Sequence, residues 1–160
     1  MLKPALMYKE KIEKCFAEIM YSEDFFYYVG WAHCHYLPEI KPEDNRYQWA
    51  VMDQEKVIGY ISYRVNPDVD SVSQFGVISF DKGNPIVGRD LYRIIKNLVK
   101  CYRRIEWHMI GGNPIEHNYD RICAKFNGNK VVLHDVCKDN NGIFRDNVIY
   151  EILSKGDVRQ

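Results

Sequence analysis

Residues 74–110 constrain the fold more than any other part of the chain. They hold an extended run (QFGVISF, 74–80), a loop rich in turn formers (DKGNPIVG) and a helical pattern from about Arg89 to Tyr102. A second extended run follows (RIEWHMI, 104–110). In the helix, Leu91, Ile94, Ile95, Leu98 and Val99 recur on one face. Two strands joined through a helix do not form a hairpin; they normally lie parallel in one sheet. The spacing therefore predicts strands 76–81 and 104–110 side by side and parallel, splaying apart at the loop end.

The flanks read as antiparallel. Residues 47–52 and 57–65 are joined by Asp53-Gln54-Glu55-Lys56, and residues 130–137 and 144–153 by Asp139-Asn140-Asn141-Gly142, both hairpin signals. Residues 2–7 read as a short first strand or an extended lead-in. From about Tyr8 to Tyr28 the pattern is helical, with Ile12, Phe16, Ile19 and Met20 at helical spacing. Ser22 and Asp24 suit the cap of a second helix, and Gly30 its end. Pro38 and Pro42 hold residues 31–46 to a loop. Pro114 suits the first position of a helix over roughly 115–126. The sum is one domain over 1–160. It is an α/β fold with a mixed, mostly antiparallel central sheet of six to seven strands and helices on both faces.

Composition narrows the function. Lys plus Arg equals Asp plus Glu, at 22 each, so the chain has no overall field for collecting nucleic acid. Lys100, Arg103 and Arg104 cluster at a helix end, where cations suit the dipole. The five cysteines form no CxxC pair, which argues against a zinc cage and suits free thiols in a reducing, cytoplasmic setting. No run of eighteen apolar residues is present, so no membrane span is expected. His33, Cys34, His35 and Glu39 include a His-x-His spacing but no committed third ligand, so no metal is expected. A loop over an acceptor site is the better account of that segment, with Trp31, His33 and Tyr36 as its wall and Tyr47 nearby.

The chemistry concentrates at 82–89. A glycine-containing loop opening directly into a helix presents backbone N–H groups as a nest, and the helix N-terminus adds partial positive charge. Arg89 adds a guanidinium. Together they make a phosphate or pyrophosphate site. A Walker A loop would need Lys at Arg89 and Ser or Thr at Asp90, and a GxGxxG fingerprint needs more than Gly83 and Gly88.

The whole-chain order, over roughly 47–153, resembles the GNAT acetyltransferase family. The resemblance implies acetyl-CoA as co-substrate, held by a Q/R-x-x-G-x-G/A loop. Here Gly83 takes the Gln/Arg position, Ile86 the first Gly and Gly88 the second, so two of three positions depart. The expected CoA contacts are Ser79, Gly83, Asn84, Val87, Gly88, Arg89 and Asn113. Asn113 and Lys125 match the family's second helix region, with Asn127-Gly128 replacing its Gly-Phe pair. Asp146 four residues before Tyr150 resembles the last hairpin of ribosomal-protein N-terminal acetyltransferases. The resemblance implies direct attack of an amine on the thioester. The family's usual acid, a Tyr two residues before the Lys, is Cys123 here. Tyr119, one helical turn earlier, is the candidate acid. Glu106, sharing a strand face with His108, is the first choice of base. The implied partner is a small-molecule amine or peptide acceptor, and the chain a monomer or homodimer. The alternative is a catalytically degenerate GNAT-like module that binds CoA or a partner.

Overall fold

The computed structural model describes residues 1–154, and the domain expectation for 155–160 lies outside the described residues. Seven strands form one sheet in the order β1-β2-β3-β4-β5-β7-β6. They are β1 (Leu2–Pro4), β2 (Arg46–Asp53), β3 (Lys56–Asn66), β4 (Ser71–Ser79), β5 (Arg104–Ile110), β6 (Asn129–Lys138) and β7 (Phe144–Leu153). Every pairing is antiparallel except β4 with β5. The expected mixed α/β sheet is what the chain forms.

The helices are α1 (Lys9–Ile19), α2 (Phe26–Val29), α3 (Pro85–Cys101) and α4 (Glu116–Lys125). Two cores lie on the two faces of the sheet. One packs Val87, Leu91, Ile94, Ile95 and Leu98 of α3, with Tyr119, Ile122 and Cys123 of α4, against β3, β5 and β7. The other packs Ile12 and Phe16 of α1, with Phe25, Ile40 and Ala5, against Ala50, Met52, Val57 and Tyr60. Phe16 is its hub, meeting Phe25, Tyr28, Tyr60 and Phe80 at ring-centroid distances of 5.0–6.4 Å.

Four differences from the sequence reading have a clear local cause, while most other ends move by one to three residues. The helical tract after Tyr8 breaks after Ile19, and α2 follows a short 3₁₀ turn at Glu23–Phe25. Gly30 ends α2 in the left-handed conformation (φ 76°), its N–H donating to Phe26 O at 2.8 Å, as its position predicts. Strand β4 begins at Ser71, inside a stretch that reads as polar connection, because Val72 is fully buried and pairs with Ile105. Helix α3 begins at Pro85 rather than Arg89, because Pro fits the first helical position and Asn84 caps it. Helix α4 begins at Glu116, leaving Pro114 in the preceding turn.

The parallel pair is short. β4 and β5 are in register only at Ser71↔Arg104 and Val72↔Ile105. Just beyond, Gln74 and Phe75 together oppose Tyr63 of β3, a bulge in which Gln74 has φ 54°. A bulge bends its strand. Beyond it β4 stays on β3 and leaves β5, so the sheet opens between them; the parallel pairing itself lies at Ser71 and Val72, before the 76–81 span of the sequence reading.

Candidate active site at the opening between β4 and β5

The loop after β4 is fixed by short-range bonds. Ser79 Oγ donates to Asp81 O at 2.8 Å, Asn84 N–H to Asp81 O at 3.1 Å, and Asn84 Nδ2 to Asp81 Oδ2 at 3.1 Å. Lys82 is ion-paired with Asp24, tying the loop to the 3₁₀ turn before α2. Gly83 has φ 84°, a conformation glycine adopts without strain, so the turn itself accounts for glycine where the family has Gln or Arg. Asn84 Oδ1 accepts the Ile86 N–H at 3.1 Å, and Pro85 has no N–H to give. The first-turn amide that helix geometry leaves open is Val87's. The amide nest is therefore smaller than the sequence reading expects.

Above this helix end lies a cleft of about 1050 Å³. Ser79, Gly83, Asn84, Val87, Gly88 and Arg89 all line it. A side chain at Gly88 would meet open space. The opposite wall is α4, through Ile115, Asn118, Arg121, Ile122 and Lys125. Arg89, Arg121 and Lys125 line the cleft and, among the described residues, no carboxylate does. Lys125 Nζ lies 4.7 Å from the centre of the Tyr92 ring, and Arg89 Nε 3.7 Å from buried Asp90. The sequence reading named Arg89 but missed Arg121. The signal was available: Arg121 and Lys125 are i,i+4 on α4 and so share a face.

Val77 and Leu91 line both this cleft and a smaller slot of about 50 Å³. The slot lies where β4 and β5 diverge, between Phe75, Gly76 and Val77 on one side and Trp107, His108 and Met109 on the other. Tyr119 and Asn113 line it too, as do Tyr27 and Tyr28 from α2. Asn113 thus belongs to the slot rather than the cleft, and its Oδ1 accepts the Ile115 N–H at 3.1 Å. Tyr119 is 7% exposed, its ring edge-on to Trp107 and Tyr150. Burial pushes its hydroxyl well above the usual tyrosine range, and burial does the same for Tyr28. Tyr28 gave no sequence signal beyond helical spacing, because its role depends on where α2 docks.

Glu106 and His108 share the face of β5 away from α3 and α4. Glu106 Oε2 accepts from Arg104 Nη2 at 2.6 Å, and Glu106 Oε1 lies 3.2 Å from His108 Nε2. Of the two, His108 lines the slot. Trp31 and Tyr36 are exposed and line none of these cavities, nor does His33, whose N–H donates to Asn140 Oδ1 at 2.8 Å. Cys123 is buried and its thiol donates to Asn129 O at 3.4 Å. Asp146 serves the bulge in β6, accepting the Asp135 N–H at 3.2 Å. Among the described residues no group of three or more His, Cys, Asp or Glu is arranged to hold a metal ion, and no helix is long and apolar enough to cross a membrane.

A helix N-terminus facing a cationic cleft, at an opening between two parallel strands, invites comparison with solved structures. An N-acetyltransferase from Staphylococcus aureus Mu50 is similar with a TM-score of 0.69 and 16% identity, over 97% of this chain and 98% of that one. A protein from Chromobacterium violaceum, described as a probable acetyltransferase of the GNAT family, is similar with a TM-score of 0.66 and 14% identity, over 96% and 86%. The chain has the GNAT acetyltransferase fold. A chimera of the spermidine N-acetyltransferase of Vibrio cholerae shares it over 70% of each chain, with a TM-score of 0.56 and 19% identity. No protein-family model matches the sequence, and no curated protein is similar to it at the level of sequence. The likeness lies in the GNAT backbone, whose cleft these side chains line in their own way.

Proposed function

We propose that the protein transfers an acetyl group from acetyl-CoA to an amine. The observation that carries this is a cleft lined by three cations and a narrow aromatic slot at the splayed sheet, with Val77 and Leu91 lining both. Coenzyme A is a polyanion on an apolar arm, and the residues present fit it. Arg89, Arg121 and Lys125 offer three cations, the Val87 amide and the α3 dipole add to them, and Val77, Leu91 and Ile122 supply apolar wall. The cations substitute for the amides that Pro85 and the Asn84 cap remove. When bound, the co-substrate supplies an activated acyl group as a thioester.

The protein's part is to orient the acceptor and move two protons. The amine nitrogen bonds to the acyl carbon as the carbon–sulfur bond breaks; the amine gives up a proton and the thiolate takes one. His108 faces the slot and receives the amine proton. Glu106, held by Arg104, orients the imidazole through the 3.2 Å contact. This places Glu106 one step behind the base role the sequence reading gave it. Tyr119, kept protonated by burial, is the acid for the thiolate. The acceptor reaches the slot from the side of the 31–45 loop, where Trp31, His33 and Tyr36 contact its outer part. The acceptor is a small-molecule amine or a peptide amine, and a polyamine, as in the name of the Vibrio cholerae enzyme, is one candidate.

Thiol release from acetyl-CoA across a panel of polyamines, amino acids and peptides tests the reading. Turnover is expected on at least one. Tyr119→Phe then lowers kcat at least about ten-fold with CoA affinity unchanged, general acid catalysis typically contributing about 10²–10⁴. Activity within two-fold of wild type would remove Tyr119 from the mechanism. Tight CoA binding with no turnover on any amine would instead favour a CoA-binding module without catalysis.

A further inference from the structure

We propose that the indole N–H of Trp107 is the hydrogen-bond donor to the acyl carbonyl oxygen, an inference that rests on reading the slot as the acyl site. Trp107 lies on β5 between Glu106 and His108, with its side chain on the opposite face, in the α3 and α4 core. It is 2% exposed and lines the slot. Its Nε1 is buried and has no hydrogen-bond partner among the described residues.

That is an uncommon state. Buried indole N–H groups usually find an acceptor, and an indole is a donor only. The ring cannot turn to seek one. It stacks on Tyr150 at 5.2 Å and 14°, with Phe75 at 6.4 Å and Tyr119 at 6.0 Å edge-on. Of the cleft and the slot, Trp107 lines only the slot, so an acceptor atom for the N–H would come from there. The other orphaned indole, Trp49, differs: the Tyr63 hydroxyl stands beside it, and it lines neither the cleft nor the slot.

An acyl carbonyl oxygen is such an acceptor, and its demand grows during reaction. As the amine nitrogen bonds to the acyl carbon, the carbonyl π pair moves onto oxygen. As the carbon–sulfur bond breaks, that pair returns. A fixed donor in a narrow site walled by aromatic rings stabilises the charge on oxygen in between without having to reorganise. The slot therefore carries its electrostatic catalysis on a side chain of β5, while the anionic part of the co-substrate is held across the neck at Val77 and Leu91.

The chain has three tryptophans, so three indole N–H resonances report on the proposal in the wild-type protein. The Trp107 resonance, assigned by its loss in Trp107→Phe, moves downfield on adding acetyl-CoA but not on adding CoA, which has no carbonyl. Where Trp107→Phe does not fold, Trp31→Phe and Trp49→Phe give the assignment by elimination. In the folded variant, the infrared carbonyl band of bound [1-¹³C]acetyl-CoA lies at higher wavenumber than in wild type. CoA affinity stays within about two-fold, and kcat falls about 10²–10³-fold, the loss typical of one such donor. A Trp107 resonance that responds alike to CoA and acetyl-CoA, or an unmoved carbonyl band, overturns the donor assignment and leaves the proposed activity standing. Failure of either ligand to bind overturns the reading of the cleft, and this inference with it.

Discussion

Strands β3 and β6 are both long and both apolar, yet β3 is buried along nearly its whole length and no residue of β6 is buried. β3 sits inside the sheet with α1 packed on one face and α3 on the other. β6 is the edge strand, and Val131, Leu133 and Val136 remain 43–55% exposed. The difference teaches that apolar content makes a strand, but position in the sheet decides what it contributes. The half built on β1–β4 has core packed on both of its faces. The half built on β5, β7 and β6 is covered on one face, and the slot lies at the seam between them.

Three substitutions grade that comparison. The largest effect is expected in the doubly covered half. Phe16→Ala removes the hub of the α1 core and costs about 3–5 kcal/mol in denaturant unfolding. A cost below about 1 kcal/mol would mean that the α1 layer is loosely packed.

An intermediate effect belongs to the singly covered half. Tyr150 donates to Asp120 Oδ1 at 2.7 Å, and Lys130 Nζ lies 2.8 Å from the same oxygen. Burial raises the Asp120 pKa, but the Lys130 and Tyr150 hydrogen bonds outweigh it and hold the carboxyl below its ordinary range. A depressed folded pKa means stability present above the unfolded value, roughly 3.9, and lost as pH falls through the folded one. Because the Asp120 side chain is 41% exposed, the contribution is screened, and Tyr150→Phe costs about 1 kcal/mol near neutral pH. The gap between variant and wild type narrows below about pH 4. A gap that is constant down to pH 2 would show that the bond to Asp120 carries none of it.

The smallest effect is expected on the open strand. Val131→Lys changes stability by no more than about 0.5 kcal/mol. A cost above about 2 kcal/mol would mean that this face is covered in solution.

The same comparison explains what the sequence could and could not tell. Element type was legible where the pattern is clear: the bounds of β5 and β7 match the reading residue for residue, β5 because it alternates up to the Gly111-Gly112 turn and β7 because it follows the Asp139–Gly142 hairpin signal. The start of α3 was less so, since Asn84-Pro85 reads equally as a turn or as a cap with the first helical residue. Of the seven expected CoA contacts, the six from Ser79 to Arg89 share the cleft wall because they are neighbours in sequence. Tyr28, Arg121 and Trp107 were not read as site residues. They are brought in by how α2, α4 and β5 dock, and no local spacing records that. Trp31 and Tyr36 looked like an aromatic wall, and they line neither the cleft nor the slot.

The central claim is that the end of α3 and its cationic cleft bind coenzyme A. Gly88 is the place to test it, because a side chain there meets open space and an acidic residue near a helix N-terminus does not oppose the fold. Isothermal calorimetry of CoA against wild type and Gly88→Asp gives the answer directly. The account predicts binding to wild type, and at least about ten-fold weaker binding to a Gly88→Asp variant of unchanged melting temperature, from like charge and bulk at the phosphate site. Equal affinity in the two proteins would contradict it.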